Sequence, residues 1–369
     1  MPYSSYKNLK KAQRKAQKKA FSLIELSVVV LIIGILIAGI TSGSRLVRDS
    51  RLKSAAQLTK SSDVNNIPDL VLWLEPTLEN SFAVADSSVN DNNTFISAPA
   101  NSVYNQLSVT TNPSYVADTF RPDNRQVIAR WNDINPRVTP GNRKSVYQHK
   151  HSNRPMYIAN AINGLPALNF SGPEFLYNEN RDETPSAPPL VAGDKSMTYV
   201  AVFVSNNIDN INRYGTIMDQ FVGFPNDYVS GANISMGVEK ATNNSEQLAF
   251  ATWIPDIGSL GAIQNQSGHI ALITLEDKNI LSSNNLAHCV NQISKSCGRK
   301  DFNTNSMNVS NKSFSLAIRS FNNSPAYTDQ NRRFVGYIGE VMVFDRALKN
   351  EEIDSVTNYL SKKWGITLK

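Results

Sequence analysis

The stretch that decides how this chain is organised is residues 21–40, FSLIELSVVVLIIGILIAGI. The run is predominantly apolar and holds one ionisable side chain, Glu25. An α-helix rises about 1.5 Å per residue, so twenty residues span roughly 30 Å, the thickness of a bilayer's hydrocarbon core. We therefore predict a membrane-spanning helix. Within it the Glu25 carboxylate needs a partner, because a charge inside the hydrocarbon is costly.

The residues around the start of this run form a recognisable pattern, KKA at 18–20 followed by FSLIEL at 21–26. The pattern resembles the type IV prepilin N-terminus of pilins and type II secretion pseudopilins. The resemblance implies that a prepilin peptidase cuts between Ala20 and Phe21 and that the new amine of Phe21 is methylated. It also implies that Glu25 pairs with the Phe21 amine of a neighbouring pilin-like subunit. Ala20 departs from the glycine that is usual before the cut, although alanine is also small.

Two other interpretations of the run are weaker. A secretory signal has a shorter apolar segment of about 7 to 15 residues, followed by a cleavage site with small residues. Here the run is longer and the small residue precedes it. A plain single-pass anchor fits the length but leaves Glu25 unexplained.

Charge indicates both the topology and the class of partner. Residues 1–20 hold seven basic residues and no acidic ones, and basic residues flanking a first membrane segment stay in the cytoplasm. We therefore expect everything after residue 40 outside the cytoplasm of a bacterial cell, in the periplasm or on the surface. Removing those seven charges takes the formal net charge from +6 to −1, which argues against nucleic acid as a partner.

After residue 40 the composition changes, yet apolar residues between 41 and 62 keep helical spacing. We expect an amphipathic continuation whose apolar stripe, including Leu46 and Leu52, rests on the domain that follows. Ser61, Ser62 and Pro68 are expected to end this helix. The predicted organisation is a leader at 1–20, a pilin-type helix at 21–64 and one domain at 65–369.

The remaining sequence has the texture of an all-β domain, in which short apolar segments alternate with turn residues. The segments 70–74 and 197–204 are clear strands, and the second is expected to be buried on both faces. We predict a mainly β fold, an antiparallel jelly-roll sandwich. A short helix at 350–363 should close the chain, with Asn350 as its N-cap and Gly365 at its end.

Several pieces of this domain together resemble the concanavalin A-like lectin/glucanase superfamily, in its laminin-G-like branch. They are LWLE at 72–75, WND at 131–133, NGLPALNFSG at 163–172 and GYIGEV at 336–341. Residue by residue, the structural interpretation is favoured. Trp73, Trp131 and Phe170 are expected in the core rather than as sugar platforms. Gly164 is expected in a turn, and Gly339 at a bulge or close approach.

No catalytic constellation is evident, so the sequence predicts that the chain is not an enzyme. Relatives of this fold that cleave glycans use paired carboxylates facing one substrate. Glu340 and Asp345 are the most tempting pair, but five residues apart on a strand they point to opposite faces. Asp345 is expected to pair with Arg346 or to cap the turn. His149 and His151 lack a third ligand nearby and are more typical of a solvated loop.

The other candidate sites carry less weight. Cys289 and Cys297 lie in the exported part, where they form either a disulfide closing a short loop or two unpaired thiols. No cofactor is predicted. Calcium stays possible because loops contain Asp219 and Asp227, but no ligand set can be assigned. Tyr228, beside Asp227, is a weaker candidate for a shallow sugar site.

The leading functional hypothesis is a minor pilin-like subunit. Its helix anchors it in the inner membrane, and its sandwich binds a glycan or a surface protein. One alternative is a structural component of a type II secretion pseudopilus, and a less favoured one is a membrane-tethered glycan-active enzyme.

Overall fold

The computed structural model divides the chain into two compact units, Met1–Asp49 and Ser50–Lys369. It describes residues 23–83, 122–139, 143–148, 151–178, 190, 193–194, 196–206, 214–221, 234–240, 245–252, 256–276, 284–302, 308–309, 313–320, 328–329 and 332–369. Ala20, Phe21, His149, Asp227 and Tyr228 lie outside the described residues.

The first helix, α1 (Leu23–Lys60), begins in the first unit and ends in the second. Within the second unit its residues Leu52 and Ala55 are buried, which confirms the predicted apolar stripe over this part. Leu46, in the first unit, is instead 72% exposed. A short 3₁₀ helix (Asp63–Asn66) follows, and the Ser62 hydroxyl caps it by accepting from the Val64 N–H at 3.1 Å. The helix therefore ends at the predicted serines.

Two antiparallel sheets form the body of the second unit. The first sheet runs, in spatial order, through β16 (Gly298–Phe302), β15 (Asn284–Val290), β14 (Gly268–Glu276), β9 (Met197–Ser205), β21 (Gly336–Phe344), β6 (Leu165–Phe170) and β5 (Met156–Ile162). Strand β1 (Leu70–Leu74) pairs with the C-terminal half of β21, beside β6. The first and last strands of the domain are thus neighbours.

The second sheet lies against the first. Its spatial order is β13 (Asp256–Ile263), β12 (Glu246–Thr252), β11 (Ile234–Lys240), β10 (Tyr214–Phe221), β18 (Ser313–Leu316), β7 (Leu176–Tyr177), β4 (Val146–Tyr147), β3 (Arg130–Trp131) and β2 (Phe82–Ala83). Two short pairs lie outside both sheets: β8 (Gly193–Asp194) with β17 (Asn308–Val309), and β19 (Arg319–Ser320) with β20 (Thr328–Asp329). These sheets confirm the mainly β prediction, whereas the jelly-roll assignment stays a prediction.

Two hydrophobic cores sandwich the first sheet. The inter-sheet core, between the two sheets, includes Tyr199 and Phe203 of β9 and Phe250 of β12. The helix-side core covers the opposite face of the first sheet and includes Val200 and Val202 of β9. Every residue of β9 is buried, which confirms a strand covered on both faces. Trp73, Trp131 and Phe170 are all fully buried, as predicted for core aromatics.

The last helix, α2 (Asn350–Trp364), covers the helix-side core. Its N-cap is Lys349 rather than the predicted Asn350, and the Glu352 carboxylate accepts from the Lys349 backbone N–H at 2.8 Å. Gly365 ends the helix with φ 62°, as predicted. Asn163 in the β5–β6 turn donates to the Trp364 carbonyl at 2.9 Å, which satisfies one of the free carbonyls at this end.

Gly339 decides which way the following residue of β21 points. The pairing of β21 with β9 shifts register between Ile338 and Glu340, so a bulge lies at Gly339, where a bulge or close approach was predicted. A Cβ at Gly339 would lie 2.6 Å from the Trp364 ring. Ile338 faces the inter-sheet core, whereas Glu340, opposite Val202, faces the helix side. The bulge thus directs a carboxylate towards α2.

Candidate functional site: the N-terminal helix and its attachment to the β-domain

The N-terminal part of α1 exposes a continuous apolar surface. Leu23 is 83% exposed and Ile40 is 70% exposed, and the large apolar residues between them are exposed as well. Among the described residues, this is the one helix long and apolar enough to cross a membrane. An exposed apolar surface of this extent requires lipid or other helices around it.

Glu25 lies in the first turn of α1 and is exposed. A carboxylate there is favoured by the positive end of the helix dipole. Ala20 and Phe21, the predicted cleavage site, precede the described residues. The predicted contact between Glu25 and a neighbouring subunit's Phe21 therefore stays a prediction.

Three charged side chains meet in the helix-side core, and we call Glu75, Glu340 and Lys363 the buried charge cluster. The Lys363 ammonium lies 2.7 Å from Glu75 and 2.9 Å from Glu340, and all three side chains are at most 1% exposed. Glu75 follows β1, Glu340 lies in β21 and Lys363 lies in the last turn of α2. The cluster therefore joins the first strand, the last strand and the last helix of the domain.

The same cluster holds the C-terminal end of α1. The Lys363 Nζ donates to the Thr59 hydroxyl at 2.8 Å, and the Tyr359 hydroxyl lies 3.0 Å from the same oxygen. Thr59 is buried, one residue before α1 ends. The segment that continues from the exposed apolar helix is thus tied to α2 by buried polar contacts.

Glu75 is the acceptor of a dense set of hydrogen bonds. Its Oε1 accepts from the Leu78 N–H at 2.7 Å, the Ser81 hydroxyl at 2.7 Å and the Thr77 N–H at 3.0 Å. Burial alone raises the pKa of Glu75. The Lys363 ammonium and the hydrogen bonds from Thr77 and Ser81 outweigh burial and lower this pKa below its ordinary value. Glu75 is therefore a carboxylate facing an ammonium.

Glu340 is held by aromatic donors. Its Oε1 accepts from the Trp73 indole N–H at 2.8 Å and from the Tyr359 hydroxyl at 2.8 Å, and its Oε2 accepts from the Trp364 indole N–H at 2.8 Å. Burial, together with the charges of Glu340 and Glu75, raises the pKa of Tyr359 well above its ordinary value. The Tyr359 hydroxyl therefore keeps its proton and remains a donor.

The sequence did not identify this cluster. Lys363 is the last residue of the helix predicted at 350–363, and the structure buries its side chain. Its spacing was a usable signal, because it follows Leu360 by three residues and Tyr359 by four and so falls on the buried stripe of α2. Glu75 and Glu340 are far apart in sequence, and nothing local predicts that they meet.

The tempting pair Glu340 and Asp345 does not form a common site. Glu340 faces the helix-side core, and Asp345 follows the end of β21. The predicted partner of Asp345, Arg346, instead binds Glu352 at 2.6 Å and Asp69 at 3.3 Å. The carboxylate that approaches Glu340 is Glu75, from the other end of the domain.

The two cysteines are bonded in the structure, with a Cα–Cα distance of 4.6 Å. Cys289 is buried in the helix-side core and Cys297 packs against it. Inside the closed loop the Ser294 N–H donates to the Asp354 carboxylate of α2 at 2.7 Å. The disulfide therefore holds a loop that binds the last helix.

A row of polar and aromatic residues crosses the outer face of the second sheet. The strand register places Arg130, Tyr147, Tyr177, Ser315 and Asp219 side by side, one from each of five strands. The Tyr147 and Tyr177 rings lie 5.2 Å apart, and Tyr147 is the partly exposed member of this group. We call these five residues the outer-face row.

The metal prediction is not settled by these residues. Within the part of the chain that the structure describes, no three or more His, Cys, Asp or Glu side chains converge as a metal site. Asp219 is buried in β10, and Asp227 lies outside the described residues. Calcium binding stays a prediction.

Comparison with known families gives one match, at the N-terminus. Residues 15–41 match the model of the prokaryotic N-terminal methylation motif. The match confirms a type IV prepilin-like N-terminus whose apolar helix is a single-pass membrane anchor. The motif implies processing by prepilin peptidase and association with pilin subunits. No curated protein sequence matches the chain.

Several solved structures are similar to this chain. A GH54 α-L-arabinofuranosidase matches at 13% identity and TM-score 0.49, covering 82% of this chain and 64% of that one. A Trypanosoma rangeli sialidase matches at 11% identity and TM-score 0.36, covering 62% of this chain and 30% of that one. A SAP-like pentraxin from Limulus polyphemus matches at 11% identity and TM-score 0.34, covering 51% and 80% respectively. The chain thus spans less than two thirds of these glycosidases.

These matches contradict the prediction that the chain is not an enzyme, because arabinofuranosidases and sialidases are prominent among the structures found. That prediction is corrected accordingly. Likenesses at this level of identity and TM-score assign neither an activity nor a substrate to this chain.

Proposed function

We propose that this chain is a minor pilin-like subunit that carries its β-domain outside the cytoplasm as a recognition domain. The observation that carries the proposal is the position of the methylation motif. Its described residues, 23–41, belong to the apolar part of α1, and the other end of this helix is built into the β-domain through Thr59 and the buried charge cluster.

The recognition part of the proposal rests on the resemblance to laminin-G-like domains and on the outer-face row. Glycan sites commonly combine aromatic rings with a few placed polar groups. Tyr147 supplies the accessible ring of this row, while Arg130, Tyr177, Ser315 and Asp219 are buried beside it. The proposed ligand is a glycan or a glycosylated surface protein.

Filament membership is tested by shearing surface filaments from cells that make the tagged full chain. Parallel cells lack prepilin peptidase. The proposal predicts that the chain co-purifies with filaments only when the peptidase is present, in lower amount than the major subunit. Equal recovery in both strains, or retention of the mature chain in membranes despite abundant filaments, argues against it. Recovery only with a secretion pseudopilus favours the structural alternative.

Ligand recognition is tested with the detergent-solubilised full chain on a glycan array whose supernatant is analysed for released sugars. The proposal predicts binding that is weakened in Tyr147→Ala and retained in Tyr337→Ala, a partly buried tyrosine of the first sheet. Absence of binding to every glycan overturns the glycan part of the proposal. Release of sugar products identifies the domain as glycan-active.

A further inference from the structure

The buried charge cluster places an amine against two carboxylates in a site closed to solvent. We propose that Lys363 and Glu75 form an intramolecular isopeptide bond, with Glu340 as the catalytic base. This inference is independent of the proposed pilin-like function. It rests on the distances, burial and hydrogen bonds of these three side chains.

Lys363 is positioned as the nucleophile. Its Nζ lies 2.7 Å from Glu75 Oε2, and its fully buried side chain places this nitrogen 5.6 Å from the centre of the Tyr359 ring and 5.7 Å from that of Trp364. An amine attacks a carboxyl carbon only after losing a proton, and carboxylate oxygens of Glu75 and Glu340 lie within hydrogen-bond distance of this nitrogen to receive it. The site therefore supplies both the proximity and the dry surroundings that the reaction requires.

Glu75 is positioned as the acceptor. When the amine adds to its carboxyl carbon, negative charge develops on the carboxyl oxygens. Oε1 already receives two fixed backbone donors, the Leu78 N–H and the Thr77 N–H, and the Ser81 hydroxyl. This set of donors acts as an oxyanion hole. The same donors remain satisfied afterwards, because Oε1 becomes the carbonyl oxygen of the new amide.

Glu340 is the second carboxylate on the same ammonium, with Oε2 at 2.9 Å from Lys363 Nζ. Fewer backbone dipoles stabilise its charge than that of Glu75, since its other donors are two indoles and one phenol. Its distance fits a group that takes a proton from the Lys363 nitrogen and passes it to the departing oxygen.

The reaction balances without any further reagent. The ammonium of Lys363 gives one proton to Glu75 Oε2, 2.7 Å away, and the free amine forms the N–Cδ bond with the resulting neutral carboxyl group. A second proton passes from the nitrogen of the tetrahedral species to Glu340 and from there to Oε2. Oε2 of Glu75 departs with both protons as one water molecule, and Glu340 returns to its carboxylate form. One proton remains on the amide nitrogen, and no atom changes oxidation state.

The bond would close residues 75–363 into a covalent ring that holds both ends of the β-domain. A force applied to the two chain termini could not extend the segment between Glu75 and Lys363. The ring would fasten the segment after α1 to the last helix more durably than an ion pair does.

The test is the mass of the reduced, denatured full chain. The proposal predicts a mass lower than the sequence requires by one water molecule. In a tryptic digest, the peptides carrying Lys363 and Glu75 should be joined, with no cleavage after Lys363 and normal cleavage after the exposed Lys362. If the mass equals that of the full sequence, with no water lost, and trypsin cleaves after Lys363, the proposal is overturned. A link to Glu340 instead overturns the assignment of Glu75 as acceptor.

Two variants separate chemistry from folding. Lys363→Arg keeps the positive charge but replaces the amine, so it should fold, by near-ultraviolet circular dichroism, and show no loss of water. Glu340→Gln keeps the shape and hydrogen-bonding capacity of the side chain and should lower the linked fraction at least tenfold. Complete linkage in folded Glu340→Gln overturns the role of Glu340. If either variant is unfolded, the wild-type mass and digest still decide the main claim.

Discussion

The indole N–H of Trp73 donates to the Glu340 carboxylate at 2.8 Å, although the two residues are 267 positions apart. This hydrogen bond links the first strand of the β-domain to the last. It also supplies one of the three aromatic donors that stabilise a buried negative charge.

Replacing Trp73 by Phe should destabilise the domain, because it removes a donor from a buried charge. Hydrogen bonds to charged groups contribute about 1.5–3 kcal/mol, and neutral ones about 0.5–1.5 kcal/mol. Trp131→Phe is the matched control, since the Trp131 indole donates to the neutral Glu75 carbonyl at 3.1 Å. Urea unfolding should therefore show a larger decrease in the free energy of unfolding for Trp73→Phe than for Trp131→Phe. Equal decreases in the two variants would mean that the charge on Glu340 does not strengthen the hydrogen bond.

Stability should fall as the pH drops below the ordinary histidine range. Burial lowers the pKa of His269, and nearby Lys369 lowers it further, despite opposing contributions from Gln264 and Glu246. The unfolded chain therefore takes up a proton first. Stability is complete above the ordinary pKa and is lost as pH falls towards the lowered value.

Urea midpoints at about pH 7.5 and about pH 5.5 measure this dependence. His269→Gln should reduce the difference between the two midpoints. His288, whose pKa is also lowered by burial and by Lys300, contributes with the same sign, so the double variant should have the smallest difference. An unchanged difference in His269→Gln contradicts the assignment.

Removing the Cys289–Cys297 disulfide should weaken the attachment of the loop that binds α2. The chain-entropy estimate for so short a loop is about 2–3 kcal/mol. The double Cys→Ser variant should therefore melt at a lower temperature than the oxidised wild type. A reductant should lower the melting temperature of the wild type and leave that of the variant unchanged. If reductant added under denaturing conditions leaves the melting temperature of the wild type unchanged, the prediction is contradicted.

Replacing Glu25 by Ala should leave membrane insertion intact, because it removes a charge from an apolar helix. It should lower incorporation into filaments about tenfold or more, since about 1.4 kcal/mol of lost pairing energy already gives that factor. Asp49→Ala is the control, because Asp49 lies on the same helix in an exposed 3.8 Å ion pair with Arg48. Surface pairs of this kind contribute little. Quantitative blotting of membrane and filament fractions compares the two.

If Glu25→Ala enters filaments as efficiently as the wild type, residues 21–40 act only as a membrane anchor. Equal losses in both variants would show that any acidic residue on α1 matters, rather than Glu25 in particular.

Local patterns in the sequence predicted the elements well. The strands at 70–74 and 197–204, the end of α1 and the buried stripe of α2 all depend on spacing within a few residues. The buried charge cluster could not be predicted in this way, because Glu75, Glu340 and Lys363 come from distant segments. The bulge that turns Glu340 towards α2 depends on how Gly339 packs against Trp364, which is a tertiary contact. The predicted processing site at Ala20 and Phe21 depends instead on a motif that the family comparison independently recovers.

The central claim is that residues 15–41 act as a prepilin signal, and the N-terminus of the mature chain tests it most directly. The full chain is produced with and without prepilin peptidase, and its N-terminal peptide is analysed by mass spectrometry. We expect a peptide beginning at N-methylated Phe21 when the peptidase is present and an uncut leader when it is absent. An N-terminus elsewhere, or an uncut leader in both samples, would contradict it.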